Sequence, residues 1–421
     1  MTLAALGFIV VMGILAGGML ALTLISPRRL QNIFGIGVLF GLVGGLAATF
    51  LSNLVDPQPL VPAIINNFLN LILSTFIGYA ITTFFVLSYR LEPDVIPPDL
   101  GEAQAAQQNG PGKTAVLYFV AAEPEHYDSR VAARGFDTVD YSQALPPPLL
   151  RPLYLLDLKR KYDAVGTSPY RGMHFKLAQK VQDRLGKRYK VSIAFYNDHP
   201  TLEEAATEAL RDGARRLIVL YPRLTNAPPS VKPADMLEEL RLSRYGATVV
   251  EAAPLWNSEL LPRLFVRRAL AATEGQDRAM VGLILIGQGH PLPRRHMPES
   301  AENSALQRQN QELSFQKRVR QALIKAGFDD DNVVLAWLRW QHPTVEGAYA
   351  QLVAEGCRQI FWIGTGLVAE GITTLNDIPA MLKAASATTA LETQALGPWN
   401  DDDVVAEALV EKVKQVAASV D

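Results

Sequence analysis

The sequence predicts an α/β fold of two Rossmann-like lobes with parallel sheets, preceded by three transmembrane helices. Three observations carry that prediction. Residues 1–89 hold only three charged side chains, Arg28, Arg29 and Asp56. From residue 113 onward, short and wholly apolar runs alternate with amphipathic ones, as in parallel strands covered by helices on both faces. That alternation is then gone through a second time. With 421 residues the chain has room for more than one core. It divides into a membrane domain (1–90), a linker (91–112), a first lobe (113–270) and a second lobe (271–421).

The membrane spans come first. Residues 2–25 are uncharged and exceed the about 20 residues that cross a bilayer. No basic n-region opens them and no small-residue cleavage site closes them, so they do not read as a signal peptide. Residues 33–55 and 60–88 are two further apolar runs. Arg28 and Arg29 lie between the first two spans and Arg90 follows the third, while "DPQP" between spans two and three carries no Lys or Arg. The positive-inside rule then places the N-terminus outside and everything after residue 90 in the cytoplasm. Gly13 and Gly17, and Gly37, Gly41 and Gly45, recur every fourth residue. This spacing allows close helix packing within one chain or between chains.

Residues 91–112, rich in Pro, Gly, Ala and Gln, read as a linker. It ends in "GPGKT", which is not a phosphate loop. The glycine required five residues before Gly112 is Gln107, and an apolar strand pattern follows where a helix should.

In the first lobe, 115–120 and 190–197 read as strands, 174–186 as a helix ending on glycine, and 215–222 as a third strand. Between the last two strands, "TLEEAATEALRDG" (201–213) has a capping box from Thr201 to Glu204 and stops at Gly213. In the second lobe, 279–289, 332–340 and 358–364 read as strands, with helices over 312–327 and 344–356, the latter capped by Thr344. Ligands of such sheets bind beyond the C-terminal ends of the strands. "YPRLT", "GQGHPLP" and "GTGLVAEGITTLNDI" all fall there.

Composition sets limits. The formal charge of −2 offers no field for nucleic acid. A single cysteine, Cys357, excludes an internal disulfide and an iron–sulfur cluster held by four cysteines of one chain. No tightly bound cofactor is expected.

Five segments carry a family resemblance. They are "YDAVGTSPYRGMHFKLAQKVQDRL", "AFYNDHPTLEEAATEALRDGARRLIVLYPRLT", "GQGHPLP", "EGCRQIFWIGTGLVAEGITTLNDI" and "ALGPWNDDDVVAEALVEKV". In that order they resemble the ferrochelatases, class II chelatases that insert ferrous iron into a porphyrin. The resemblance covers roughly residues 113–421 and leaves out the spans. It implies a chelatase-like fold, a porphyrin or related tetrapyrrole as partner, and ferrous iron or another divalent metal as substrate.

Metallation needs a base, because two pyrrole N–H protons leave as the metal enters. A neutral imidazole titrating near pH 6.5 suits proton removal or transient metal contact. The resemblance gives this role to His290, with Pro291 and Pro293 bracing its loop. Read without it, His290 is a strand-end residue bonded to backbone. The family's Glu opposite that His falls here on Thr373, and its second His on Gly371. Glu370 keeps an acid beside them and is a candidate catalytic and metal-contacting residue, or simply an acid at a helix N-terminus. Asp377 lies one turn past Thr373. By resemblance Ser168, Tyr170, Tyr221 and Thr373 line the substrate cleft. Arg223 is a candidate for a propionate or a solvated surface residue. His174 and His199 read as surface or cap residues. Trp337, Trp340 and His342 read as core packing or as an aromatic wall for a flat macrocycle.

Three functions follow. The first is a membrane-anchored ferrochelatase-like enzyme. The second, motivated by Thr373, is a non-catalytic tetrapyrrole-binding or delivery protein. The third is a structural subunit of a membrane complex or homo-oligomer built through the glycine-rich spans.

Overall fold

In the computed structural model the described residues are 3–55, 60–88, 113–134, 147–226, 233–240, 242–290, 299–387, 389 and 391–418. The linker 91–112, the "DPQP" loop, Pro291 and Pro293 lie outside them. The chain falls into two compact units. One gathers Met1–Pro93, Tyr127–Asp137 and Leu145–Asp163, and the other Asp94–His126, Thr138–Ala144 and Ala164–Asp421.

The first unit is built on α1 (Leu3–Ile25), α2 (Arg28–Val55) and α3 (Leu60–Ser88). All three are long and apolar enough to cross a membrane. Small residues let them touch. A Cβ on Gly17 would overlap the Thr75 carbonyl, and one on Gly78 the Ile14 carbonyl, so α1 and α3 pack backbone to backbone. Gly37, Gly41 and Gly44 of α2 meet Met19, Ala16 and Met12 of α1, and Gly45 meets Leu71 of α3. The spaced glycines are thus used within the chain. The increasing register from Gly13–Ser74 to Gly18–Thr82 makes α1 and α3 parallel, and the decreasing one makes α2 antiparallel. Later segments of the same unit bond to these helices. Tyr127 donates its hydroxyl to Ile25 O at 2.9 Å, and Tyr79 to Leu149 O at 2.8 Å. α4 (Arg151–Val165) continues from there.

The second unit holds two four-stranded parallel sheets. The first is β1 (Lys113–Ala121), β2 (Tyr189–Tyr196), β3 (Ala214–Leu220) and β4 (Thr248–Glu251), in the order β2-β1-β3-β4. The second is β5 (Val281–Gly287), β6 (Val333–Trp337), β7 (Gln359–Gly364) and β8 (Thr393–Ala395), in the order β6-β5-β7-β8. All pairings are parallel. Both lobes therefore repeat one topology, as the sequence predicts. β4 and β8, short and poorly alternating, are additions to the sequence reading.

Four helices supply the core between the sheets: α5 (Tyr170–Leu185), α7 (Leu261–Ala272), α8 (Glu299–Lys325) and α11 (Asp403–Ala418). Their Leu177, Val181, Phe265, Phe315, Val319 and Leu409 pack with Val116, Ile218, Leu283 and Phe361 of both sheets. α6 (Leu202–Arg211) covers the outer face of the first sheet. α9 (Val345–Ala354) and α10 (Ile378–Ser386) cover that of the second. The capping box of α6 is present, with Thr201 Oγ1 accepting from Glu204 N. Thr344 caps α9. In each sheet the order reverses between the first strand and the third, and the crevice at that switch point is where ligands enter.

Candidate active site

β5 is buried along its whole length. Its end is shaped by two glycines. A Cβ at Gly287 would press into the Trp337 ring and Gln316 Nε2, and Gly289, at φ 78°, lies against the Arg339 carbonyl. The amides of Gln288 and Gly289 both point at the Glu312 carboxylate, 2.7 Å to Oε1 and 3.2 Å to Oε2. His290 follows with its side chain 14% exposed, and its Nε2 stands 3.3 Å from Glu312 Oε2, which is 2% exposed. The contact is off the line of a hydrogen bond, and Nε2 takes no other partner. Gln341 Nε2 donates to His290 O at 3.3 Å. The histidine thus keeps one ring nitrogen uncommitted beside a buried carboxylate.

Glu312 comes from α8, whose buried face is polar here: Arg308, Gln311, Glu312 and Gln316. Gln316 Nε2 donates to Leu285 O at 3.1 Å and Ala336 O at 3.3 Å. Gln311 Oε1 accepts from Asn226 N at 2.9 Å in the loop after β3. The loop after β7 closes on the same carboxylate, since a Cβ on Gly366 would overlap Glu312 Oε1. No sequence reading found Glu312. It opens the apolar period of α8, where an acid reads as solvated.

Further along that loop, Glu370 turns elsewhere. Its amide donates to Asn400 Oδ1 at 2.8 Å. Its carboxylate lies near Gly397 and acts on the Arg268 guanidinium. No hydrogen bond or ion pair joins it to His290 among the described residues. Thr373 is half-buried and opens a π-helical turn, Thr373–Asp377, a feature that recurs at functional sites.

The first lobe contributes Glu123, two residues past β1 and also absent from the sequence reading. Its Oε1 accepts from Ile372 N at 2.9 Å and from Ser168 Oγ in a very short bond. A Cβ on Gly371 would overlap it. Burial raises its carboxyl above the ordinary value; the bonds from Ser168 and Ile372 oppose this, and Asp377 adds to it. Burial likewise raises the Tyr170 phenol, with Glu123 and Tyr221 adding to the rise. The Arg223 guanidinium lies 3.9 Å over the Tyr221 ring. Its Nε and Nη1 are buried without partners, and burial lowers it to about 10. Arg223 is therefore not a solvated surface residue.

His174, expected at the surface, is 1% exposed. It shares a 2.9 Å hydrogen bond with Tyr118 and stacks edge-on with Tyr170. His199 is an exposed neighbour of the α6 cap, 3.0 Å from Glu204. Trp337 is core, while Trp340 is exposed. Among the described residues no three His, Cys, Asp or Glu side chains gather as a ligand set.

Fold and site thus define a two-lobed α/β protein with ionisable groups at both switch points. The family follows from comparison. The Ferrochelatase family model matches residues 147–417, and the chain belongs to the ferrochelatase family. Curated ferrochelatases are similar to it. That of Thermosynechococcus vestitus is 24% identical over 279 residues, 60% of this chain and 67% of the relative. That of Geotalea daltonii is 22% identical over 325 residues, 72% and 98% of the two chains. A solved structure of SirB from Bacillus subtilis with Fe3+ aligns at a TM-score of 0.46 with 14% identity, covering 73% of this chain and 97% of that one. At the level of the family, the chemistry is metal insertion into a tetrapyrrole.

Proposed function

We propose that this chain is a membrane-anchored chelatase that inserts a divalent metal, ferrous iron first, into a porphyrin. One observation carries the reading: the uncommitted Nε2 of His290 beside the buried Glu312 carboxylate. In the reaction a free-base porphyrin and a divalent cation become a metalloporphyrin and two protons. His290 accepts a pyrrole proton or contacts the incoming metal. Either event leaves positive charge at the ring, which Glu312 offsets at 3.3 Å. The backbone amides of Gln288 and Gly289 hold Glu312 in place. Arg223 has the unsatisfied donors to take a propionate, and Ser168, Tyr170, Tyr221 and Thr373 line the approach. The three apolar helices anchor the enzyme at the bilayer, where an apolar macrocycle partitions, with the catalytic lobes in the cytoplasm.

The test is direct. The protein in detergent is mixed anaerobically with free-base porphyrin and ferrous iron, with zinc and cobalt in parallel, and the absorbance spectrum is followed. The wild type is expected to form metalloporphyrin. His290→Ala should slow it by about 10²- to 10⁴-fold, the contribution of a positioned base, with porphyrin still bound, and Glu312→Gln should also slow it. Porphyrin binding with no metallation by the wild type for any of the three metals would instead identify a binding or delivery protein. An unchanged rate in His290→Ala would remove His290 from the mechanism.

A further inference from the structure

We propose that Glu123 is the second proton acceptor of the metallation site, standing in the first lobe where His290 stands in the second. This rests on the reading of the site above.

Position is the first argument. Both lobes have the strand order 2-1-3-4. Glu123 follows the central strand β1 by two residues, and His290 follows its counterpart β5 by three. Both sit at the switch point of their sheet, where a bound molecule meets the loops.

Proximity is the second. The loop after β7 touches both carboxylates. Gly366 has no side chain because Glu312 occupies the space, and Gly371 because Glu123 does. Five residues of backbone span at most about 18 Å, so the two glycines that face these acids lie within that reach on one loop. The π-helical turn Thr373–Asp377 begins directly after the Glu123 contact.

Chemistry is the third. Oε1 takes both hydrogen bonds, from Ser168 and Ile372, and among the described residues Oε2 takes none. The groups that face the carboxyl are the Ser168 hydroxyl, the Tyr170 phenol, the Ile372 amide and Asp377. None is a cation, so among the described residues nothing holds Glu123 ionised as an ion pair would. Burial makes it a better base than an exposed carboxylate. Metallation releases two protons. One pyrrole proton passes to His290 and the other to Glu123, the carboxylate becoming a carboxylic acid. Both protons then leave to water and the metal takes the four nitrogens.

The experiment uses the full chain in detergent. Glu123→Gln keeps an oxygen that accepts from Ser168 and Ile372 but cannot take the proton. Metalloporphyrin formation is followed against pH, and porphyrin binding by fluorescence. The wild-type rate should rise with pH as Glu123 ionises. In Glu123→Gln that limb should vanish and the rate fall by about 10²- to 10⁴-fold, with the porphyrin Kd changed less than about twofold. Glu123→Asp retracts the acid on a shorter stem. It should keep a shifted limb and lose about 10²-fold in rate, and this decides the question should the Gln variant fail to fold. Wild-type rate and limb in either folded variant would reduce Glu123 to a clasp between loops and overturn the proposal. A wild type that metallates nothing would overturn the parent reading, and this one with it.

Discussion

Burial decides what each ionisable side chain can do. His174 shows it most simply. At 1% exposure, its Nδ1 bonded to Tyr118 and its Nε2 unpartnered, the imidazole is held down to about 3 by desolvation. The charged form is disfavoured in the folded state, so the unfolded chain binds the extra proton first. Full stability is present above the unfolded value of about 6.5 and is lost as pH falls toward 3, on the order of 5 kcal/mol in all. His174→Gln keeps a partner for Tyr118 and removes the titration. The acid-unfolding midpoint, followed by circular dichroism, should move to lower pH; an unmoved midpoint would mean another group sets it. Glu123 has the opposite sign. Its raised carboxyl costs stability as pH rises through its folded value. Glu123→Gln should therefore be neutral or slightly stabilising at neutral pH while it loses activity, a trade expected of functional groups.

At the scale of elements, α8 explains both what was legible and what was not. The apolar period through Phe315, Val319 and Leu323 placed a helix at 312–327. The helix begins instead at Glu299, and its first half buries Arg308, Gln311 and Glu312. A helix whose inner face is polar because it lines a site has no hydrophobic stripe to read. The same cause hid Glu312; Glu123 was hidden because it lies in a loop past β1, where no periodicity marks a residue. The close-packing glycines of α1 and α2 were legible from their spacing, but their partners were not: the structure decides that α1 meets α3 through Gly17 and Gly78. A side chain at Gly17 would overlap the Thr75 carbonyl, whereas Gly7 faces open space. Gly17→Leu should destabilise the unit by about 1–3 kcal/mol or more, seen as a lower Tm in detergent, and Gly7→Leu should leave it unchanged. Equal Tm values would show that this packing does not hold the unit together.

At the scale of the molecule, three crossings, an odd number, would place the two ends of the apolar segment on opposite sides of a bilayer. α1 and α3 run parallel, and Tyr127 bonds at Ile25, next to Arg28 and Arg29. Chain beyond the spans therefore meets the end of α1 that carries the basic residues, the end the positive-inside rule assigns to the cytoplasm. In sealed right-side-out vesicles, protease should remove an N-terminal tag and spare the lobes. Cleavage of the lobes with the tag protected would reverse the orientation.

By itself the sequence determined the two α/β passes, the three apolar spans, the capping box at Thr201, the Thr344 cap and the place of His290 at a strand end. Each of these is written in local periodicity or in a residue's own backbone preference. The resemblance also pointed to Glu370, the acid kept beside Thr373 and Gly371 where the family's motif has an Asp. Only the tertiary structure decided which acids lie beside His290 and beside the loop after β7. Glu370 lies toward Gly397 and the Arg268 side, while Glu312 reaches His290 from 22 residues downstream and Glu123 reaches Ile372 from the other lobe. A carboxylate's role depends on what surrounds it in space, and those neighbours are brought together by the packing of α8 and of the two lobes.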